Sequence, residues 1–152
     1  MTWRGETDVA TYTMIGEAWG NSNWQSEPSM MFDGKMDEIT ERNMYHSKPT
    51  HNGEYGLDYP GMKINFAEPV EFVDLRIVTR TGCCRDRYND VCLYADNVKI
   101  GCTPSDLIDP GDLVNFKDYT AARTFAQEFW LNWENGEHMQ IVELYFDYKG
   151  LY

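Results

Sequence analysis

Apolar and polar residues alternate over several short stretches of this chain. The clearest is residues 73–80. Val73, Leu75, Ile77 and Thr79 fall on one side and Asp74, Arg76, Val78 and Arg80 on the other, as a half-buried strand requires. Lys63-Ile64-Asn65-Phe66 alternates likewise, and Glu68-Pro69 is expected to turn the chain before the next strand. Residues 7–15 predict a first strand, and residues 29–32 a single helical turn. Residues 90–94 and 98–102 predict a hairpin about Asp96-Asn97, and residues 113–116 a short strand. Residues 121–133 fit helix or strand; the alternation of Phe129, Leu131 and Trp133 selects strand. Asn135-Gly136 predicts a hairpin turn into residues 140–148, where Val142, Leu144, Phe146 and Tyr148 share a side.

Short strands at this spacing, with little helix, predict an all-β fold, an antiparallel β-sandwich. At 152 residues the chain is expected to form one domain with a sizeable core. Residues 33–61 have little periodicity and predict a long loop; loops of this length usually carry function or move.

Charge narrows the partners. The net charge of −12 argues against nucleic acid or anionic lipid as a ligand of a broad surface, and suits a neutral ligand or a divalent cation. No stretch is long and apolar enough to span a membrane. Met1 is followed at once by polar residues, so no signal peptide is expected within the sequence; a secreted protein would carry it as a mature domain. The four cysteines favour an oxidising, extracellular setting. They allow three connectivities, of which Cys92 with Cys102 across the hairpin, and Cys83 with Cys84, is the one chosen.

The candidate chemistry lies in Arg80-Thr81-Gly82-Cys83-Cys84-Arg85-Asp86-Arg87. Adjacent cysteines close only a small ring, which cannot staple distant segments. Oxidised, such a ring offers a flat apolar face, and the arginines beside it offer forked donors of fixed charge. An apolar plate between fixed donors suits a sugar, with its C–H face and hydroxyl rim. The bland alternative is two buried free thiols, or two cysteines each bridging elsewhere. Among the aromatics, Trp24, Tyr45, Tyr55, Tyr59 and Tyr88 are expected at the surface, where Tyr45 or Tyr55 would stack on a sugar.

Arg-x-x-Cys-Cys-x-x-Arg after a strand resembles the fucose-binding motif of the F-type lectins. The resemblance extends loosely from Trp24 to Tyr148, through Phe32-Asp33-Gly34, Tyr45-His46-Ser47 and Val142-Glu143-Leu144. It implies a jelly roll of the galactose-binding-like, discoidin type and a non-enzymatic lectin for a terminal sugar, fucose by resemblance. His46 would complete the pocket with Arg80, Arg87 and the Cys83–Cys84 plate, and His51 is its rival for that role. Protonation of that imidazole near its ordinary pKa, about 6.5, would remove an acceptor. His138 is expected to be plain surface. One departure is Gly82, where the family places an acid. The resemblance further implies a structural Ca²⁺. Asp33, Asn43 and Glu143 would supply side chains and Met30, Lys35 and Val142 carbonyls, with Asp37 and Glu38 as spare carboxylates.

No nucleophile elbow, zinc-protease helix, phosphate loop or dinucleotide fingerprint is present, so no enzyme is expected. A single site would bind weakly, so a homo-oligomer is expected to add avidity. The other class that fits is a discoidin-type adhesion or extracellular-matrix module binding protein or lipid.

Overall fold

The computed structural model describes residues 1–36, 43–49, 59–120 and 123–151. Asp37, Glu38, His51 and Tyr55 lie outside these. Among the described residues there is no α-helix, and none of the helical turns is long enough to cross a membrane. The strands are β1 (Thr2–Trp3), β2 (Ala10–Ile15), β3 (Tyr45–His46), β4 (Gly61–Val78), β5 (Val91–Ala95), β6 (Val98–Cys102), β7 (Leu113–Asn115), β8 (Thr124–Trp133), β9 (Gln140–Ile141) and β10 (Glu143–Gly150). Every pairing between them is antiparallel. The 3₁₀ turn Pro28–Met31 stands where the apolar run 29–32 predicted one.

The long strand β4 organises both layers. Its first half lies between β2 and β8, with β5 and β6 beyond β8. Its second half lies between β10 and β7, with β1 beyond β10. Glu68-Pro69 therefore bends the strand rather than ending it. The register against β8 breaks between Asn65 and Val70, where Pro69 has no N–H for the ladder. The Gln127 side-chain amide donates to the carbonyls of Phe66 and Ala67 at 3.0 and 3.1 Å, so the bend leaves them satisfied.

The inward faces meet in one aromatic core. Phe146 of β10 packs on Phe66 of β4 and Phe129 of β8, ring centroids 5.1 and 4.8 Å apart. Leu75, Ile77, Leu93, Leu131 and Leu144 fill the space around them, all buried. Each such side chain contributes roughly 1.5–3 kcal/mol of burial energy, so the core dominates stability. Val73 departs from the expected alternation and is exposed. The β4–β10 register shifts beside it, between Asp147 and Tyr148, so Val73 is the extra residue of a bulge and Phe72 takes the inward place.

Asp96 and Asn97 both take positive φ (45° and 67°), the tight β5–β6 turn that the sequence predicted. Asn135-Gly136 also turns, with Gly136 at φ 74°, but it does not join two paired strands. It leads from β8 into β9, which pairs with β3 instead. That small sheet brings the segment after β8 against residues 45–46.

Candidate functional site

The end of β4, the cysteine loop, β3 and the turn after β8 converge on one cleft of about 440 Å³. Its lining includes Arg80, Cys83, Cys84, Arg87, His46 and His138. Both cysteine pairs are bonded, Cys83–Cys84 and Cys92–Cys102. Cys83 is exposed and Cys84 half-buried, so the small ring faces solvent inside the cleft. Closing it puts Cys84 at φ 63°, a left-handed conformation that a non-glycine residue takes only when its surroundings hold it there.

The scaffold of the loop is rigid. Thr79 donates its N–H to Asp112 and its hydroxyl to the Gly111 carbonyl, 3.1 and 2.6 Å, which anchors the strand end. One residue on, the Arg80 N–H donates to the Tyr88 hydroxyl at 2.7 Å. The indole N–H of Trp133 and the side-chain amide of Asn135 both donate to the Arg87 carbonyl, 2.8 and 3.0 Å. Arg85, between the two cleft arginines, is engaged elsewhere. Its Nε and Nη2 donate to Asp109 at 3.1 and 2.9 Å, and its Nη1 to the Arg80 carbonyl at 2.9 Å. Arg85 is thus a brace, whereas Arg80 and Arg87 line the cleft.

His46 lines the cleft from β3. Its N–H donates to the Ser26 hydroxyl at 2.7 Å, and its carbonyl accepts from the Trp19 N–H at 2.8 Å. Its ring touches Trp19, Trp24 and His138, at centroid distances of 5.8, 6.1 and 4.7 Å. His46 is 7 % exposed, and its Nδ1 is buried with no hydrogen-bond partner among the described residues. Burial, with the neighbouring His138, Arg80 and Arg87, pushes the His46 pKa down to about 3. The ring is therefore neutral near pH 6.5, contrary to the titration expected from sequence.

The solved structures share this architecture. A fucolectin from striped bass (Morone saxatilis) serum superposes with a TM-score of 0.64 at 12 % identity, over 93 % of this chain and 47 % of that one. A family 32 carbohydrate-binding module from Clostridium perfringens, solved with GalNAc-β-1,3-galactose, gives 0.59 at 17 %, over 90 % and 94 %. A Streptococcus pneumoniae fucose-binding module gives 0.59 at 13 %, over 89 % and 88 %. The fold is the galactose-binding-like jelly roll. This chain spans about half the length of the fucolectin chain that it matches. No protein-family model and no curated protein matches the sequence.

Within this jelly roll, two aromatic expectations fail. Tyr45 is 1 % exposed and belongs to the core; burial pushes its hydroxyl up to about 12. Successive residues of a strand point to opposite faces, so His46 in the cleft puts Tyr45 inside. Tyr88 is buried too, stacked edge-on against Trp133 at 5.6 Å. Of the other aromatics, Tyr59 is exposed and Trp24 is a half-buried wall of the cleft. His138 is no plain surface residue. Its Nδ1 lies 2.7 Å from the Ser47 carbonyl, and its ring packs on Trp19 and His46. Neither His138 nor Trp19 carried a signal in sequence, because only the β3–β9 pairing and the Ala18–Ser47 bridge bring them to the cleft.

The second cluster is at Glu143. Its side chain is fully buried; one oxygen accepts the Gly34 N–H at 2.8 Å and the other pairs with the guanidinium of Arg4. Burial raises its pKa to about 7, and a hydrogen bond with Asp33 adds to the rise while Arg4 opposes it. Asp33 also accepts the Lys35 N–H at 2.9 Å. Asp33 and Glu143 thus meet, and Asn43 is buried. Among the described residues no three His, Cys, Asp or Glu side chains group around a metal position. The Glu143 oxygens are taken by the Gly34 N–H and by Arg4, so another cation would have to displace that guanidinium. Arg4 is the rival cation for the same carboxylate.

Proposed function

We propose that this protein is a non-enzymatic lectin for a terminal sugar, fucose by resemblance. The observation that carries the reading is the convergence of Arg80, Arg87, His46 and the solvent-facing Cys83–Cys84 ring on a single cleft. The Arg87 fork donates to ring hydroxyls, with Arg80 beside it. Neutral His46 exchanges one hydrogen bond through its imidazole, and the sulfur ring carries the C–H face. The fucolectin, the pneumococcal fucose-binding module and the galactose-complexed module share this fold and support a sugar ligand.

The energies are modest. Covering some tens of Å² of the ring contributes about 1 kcal/mol at ~25 cal/mol/Å². Hydrogen bonds from charged donors add roughly 1.5–3 kcal/mol each before ordering costs. One site then binds in about the micromolar to millimolar range. A homo-oligomer acting on multivalent glycans outside the cell fits that weakness and the two disulfides.

A structural Ca²⁺ belongs to the same proposal. Asp33, Asn43 and Glu143 would hold it, with the carbonyls of Met30, Lys35 and Val142, and it would fix the loop after Asp33 to β10. A glycan array with L-fucose competition tests the function. Competable binding that is lost in Arg80→Ala is expected; no fucose signal, or one undiminished in that variant, contradicts it.

A further inference from the structure

Arg87 divides the sugar cleft from a second hollow. The far side is a polar groove of about 600 Å³ lined by Asp86, Asp90, Glu134, Glu137, Asn89 and Asn135, together with Cys84 and Arg87 themselves. The turn after β8 builds the wall between the two. Asn135 accepts the Glu137 N–H at 2.8 Å while donating to the Arg87 and Asn89 carbonyls at 3.0 and 2.6 Å. The Glu137 backbone is thereby held beside Arg87, and its half-exposed carboxylate lies 3.9 Å from the Arg87 Nε. This is the one ion pair of the Arg87 side chain among the described residues, and it engages the inner nitrogen of the fork. The two terminal nitrogens stay available to a ligand.

From this arrangement we infer that Glu137 is a specificity-determining residue, restricting the cleft to uncharged sugars. The inference rests on the lectin reading above and names its ligand class. Arg80 and Arg87 alone would attract a carboxylate or sulfate as readily as a hydroxyl. Glu137 offsets the Arg87 charge and lies close to any anionic group docked on that fork. Discrimination is then produced by repulsion of the wrong ligand as well as attraction of the right one. The other three carboxylates of the groove, Asp86, Asp90 and Glu134, extend the same negative field on that side of Arg87.

The test is a titration of wild type and Glu137→Gln with L-fucose, D-galactose, D-glucuronic acid and galactose 6-sulfate, at low and at high salt. Wild type is expected to bind a neutral sugar and to disfavour both anions. Glu137→Gln is expected to bind the anions about fivefold more tightly at low salt, the size of one close charge pair in water, and high salt removes that gain. Neutral binding is expected to stay within about twofold of wild type, since the exposed pair contributes little to it. Melting curves confirm that the variant folds. In parallel, the Arg87 Nε–H signal in a ¹H–¹⁵N spectrum, recorded without sugar, is expected to move in Glu137→Gln. An unchanged ratio of neutral to anionic binding overturns the role of Glu137, as does an Arg87 signal that does not move. A wild type that prefers the anions overturns it as well. A wild type that binds none of the four sugars overturns the lectin reading itself, and this specificity with it.

Discussion

The backbone N–H of Arg80 donates to the hydroxyl of Tyr88 at 2.7 Å, tying the end of β4 to the far end of the cysteine loop. Seven residues, 81–87, the disulfide ring included, lie between those two. Tyr88 is itself wedged against Trp133, whose indole holds the Arg87 carbonyl. Both cleft arginines therefore depend on one buried pair of aromatics.

Tyr88→Phe keeps the ring and removes the acceptor. The Arg80 N–H is part-buried and loses its partner, which costs about 1–3 kcal/mol. Urea denaturation is expected to show that loss, and sugar affinity to fall with it. Unchanged stability would mean that the hydrogen bond contributes nothing to the loop.

The two disulfides are expected to separate stability from binding. Cys92–Cys102 closes a ten-residue separation between adjacent strands, and its removal in Cys92→Ala/Cys102→Ala costs about 2–3 kcal/mol of stability. The pair Cys83→Ser/Cys84→Ser removes only the apolar plate. Thermal melting is expected to change little there, while L-fucose binds about fivefold more weakly, the equivalent of ~1 kcal/mol. Equal affinity in the serine variant would show that the sugar does not rest on the ring.

The pH dependence follows from His46. Its neighbours are the rings of Trp19, Trp24 and His138 and the charges of Arg80 and Arg87. Folding lowers its pKa from the ordinary 6.5 to about 3, so between these values the unfolded chain binds a proton that the native chain does not. Stability is therefore lost as pH falls below about 6.5, by at most about 1.4 kcal/mol per pH unit. Wild type is expected to lose more stability than His46→Gln between pH 7.5 and pH 5, as read from urea midpoints. Parallel losses in the two proteins would contradict the depressed pKa.

Arg4 and calcium compete for Glu143. Arg4→Met leaves a fully buried carboxylate without its guanidinium, which costs roughly 3 kcal/mol in chelator. Added Ca²⁺ is expected to raise the melting temperature of wild type, and that of Arg4→Met by more. Melting curves that are the same in Ca²⁺ and in EDTA for both proteins would remove the ion from the account.

Much of this was legible in the sequence, for physical reasons. Leu75, Ile77, Leu144 and Phe146 sit on long strands whose period-two pattern survives several repeats, so their inward faces could be read directly. The cysteine loop was legible because its reactive groups lie within eight residues of one another. The parity of Tyr45 was not, because β3 is two residues long and gives no alternation to count. Trp19 and His138 reach the cleft, and Glu137 the groove beside it, through pairing of distant segments, which local pattern does not encode. Arg4 lies 139 residues from the carboxylate it meets. Pro69 misled for a related reason: a proline that ends most strands here sits where β4 bends away from its neighbour.

The central claim is that a sugar seats on the Cys83–Cys84 ring between Arg80 and Arg87. The most direct measurement is a ¹H–¹⁵N NMR titration of the isotopically labelled protein with L-fucose and D-galactose. The account predicts saturable shifts confined to residues 82–87, the side chains of Arg80 and Arg87, His46 and the indoles of Trp19 and Trp24. Shifts centred elsewhere on the jelly roll, or none at tens of millimolar of either sugar, would contradict it.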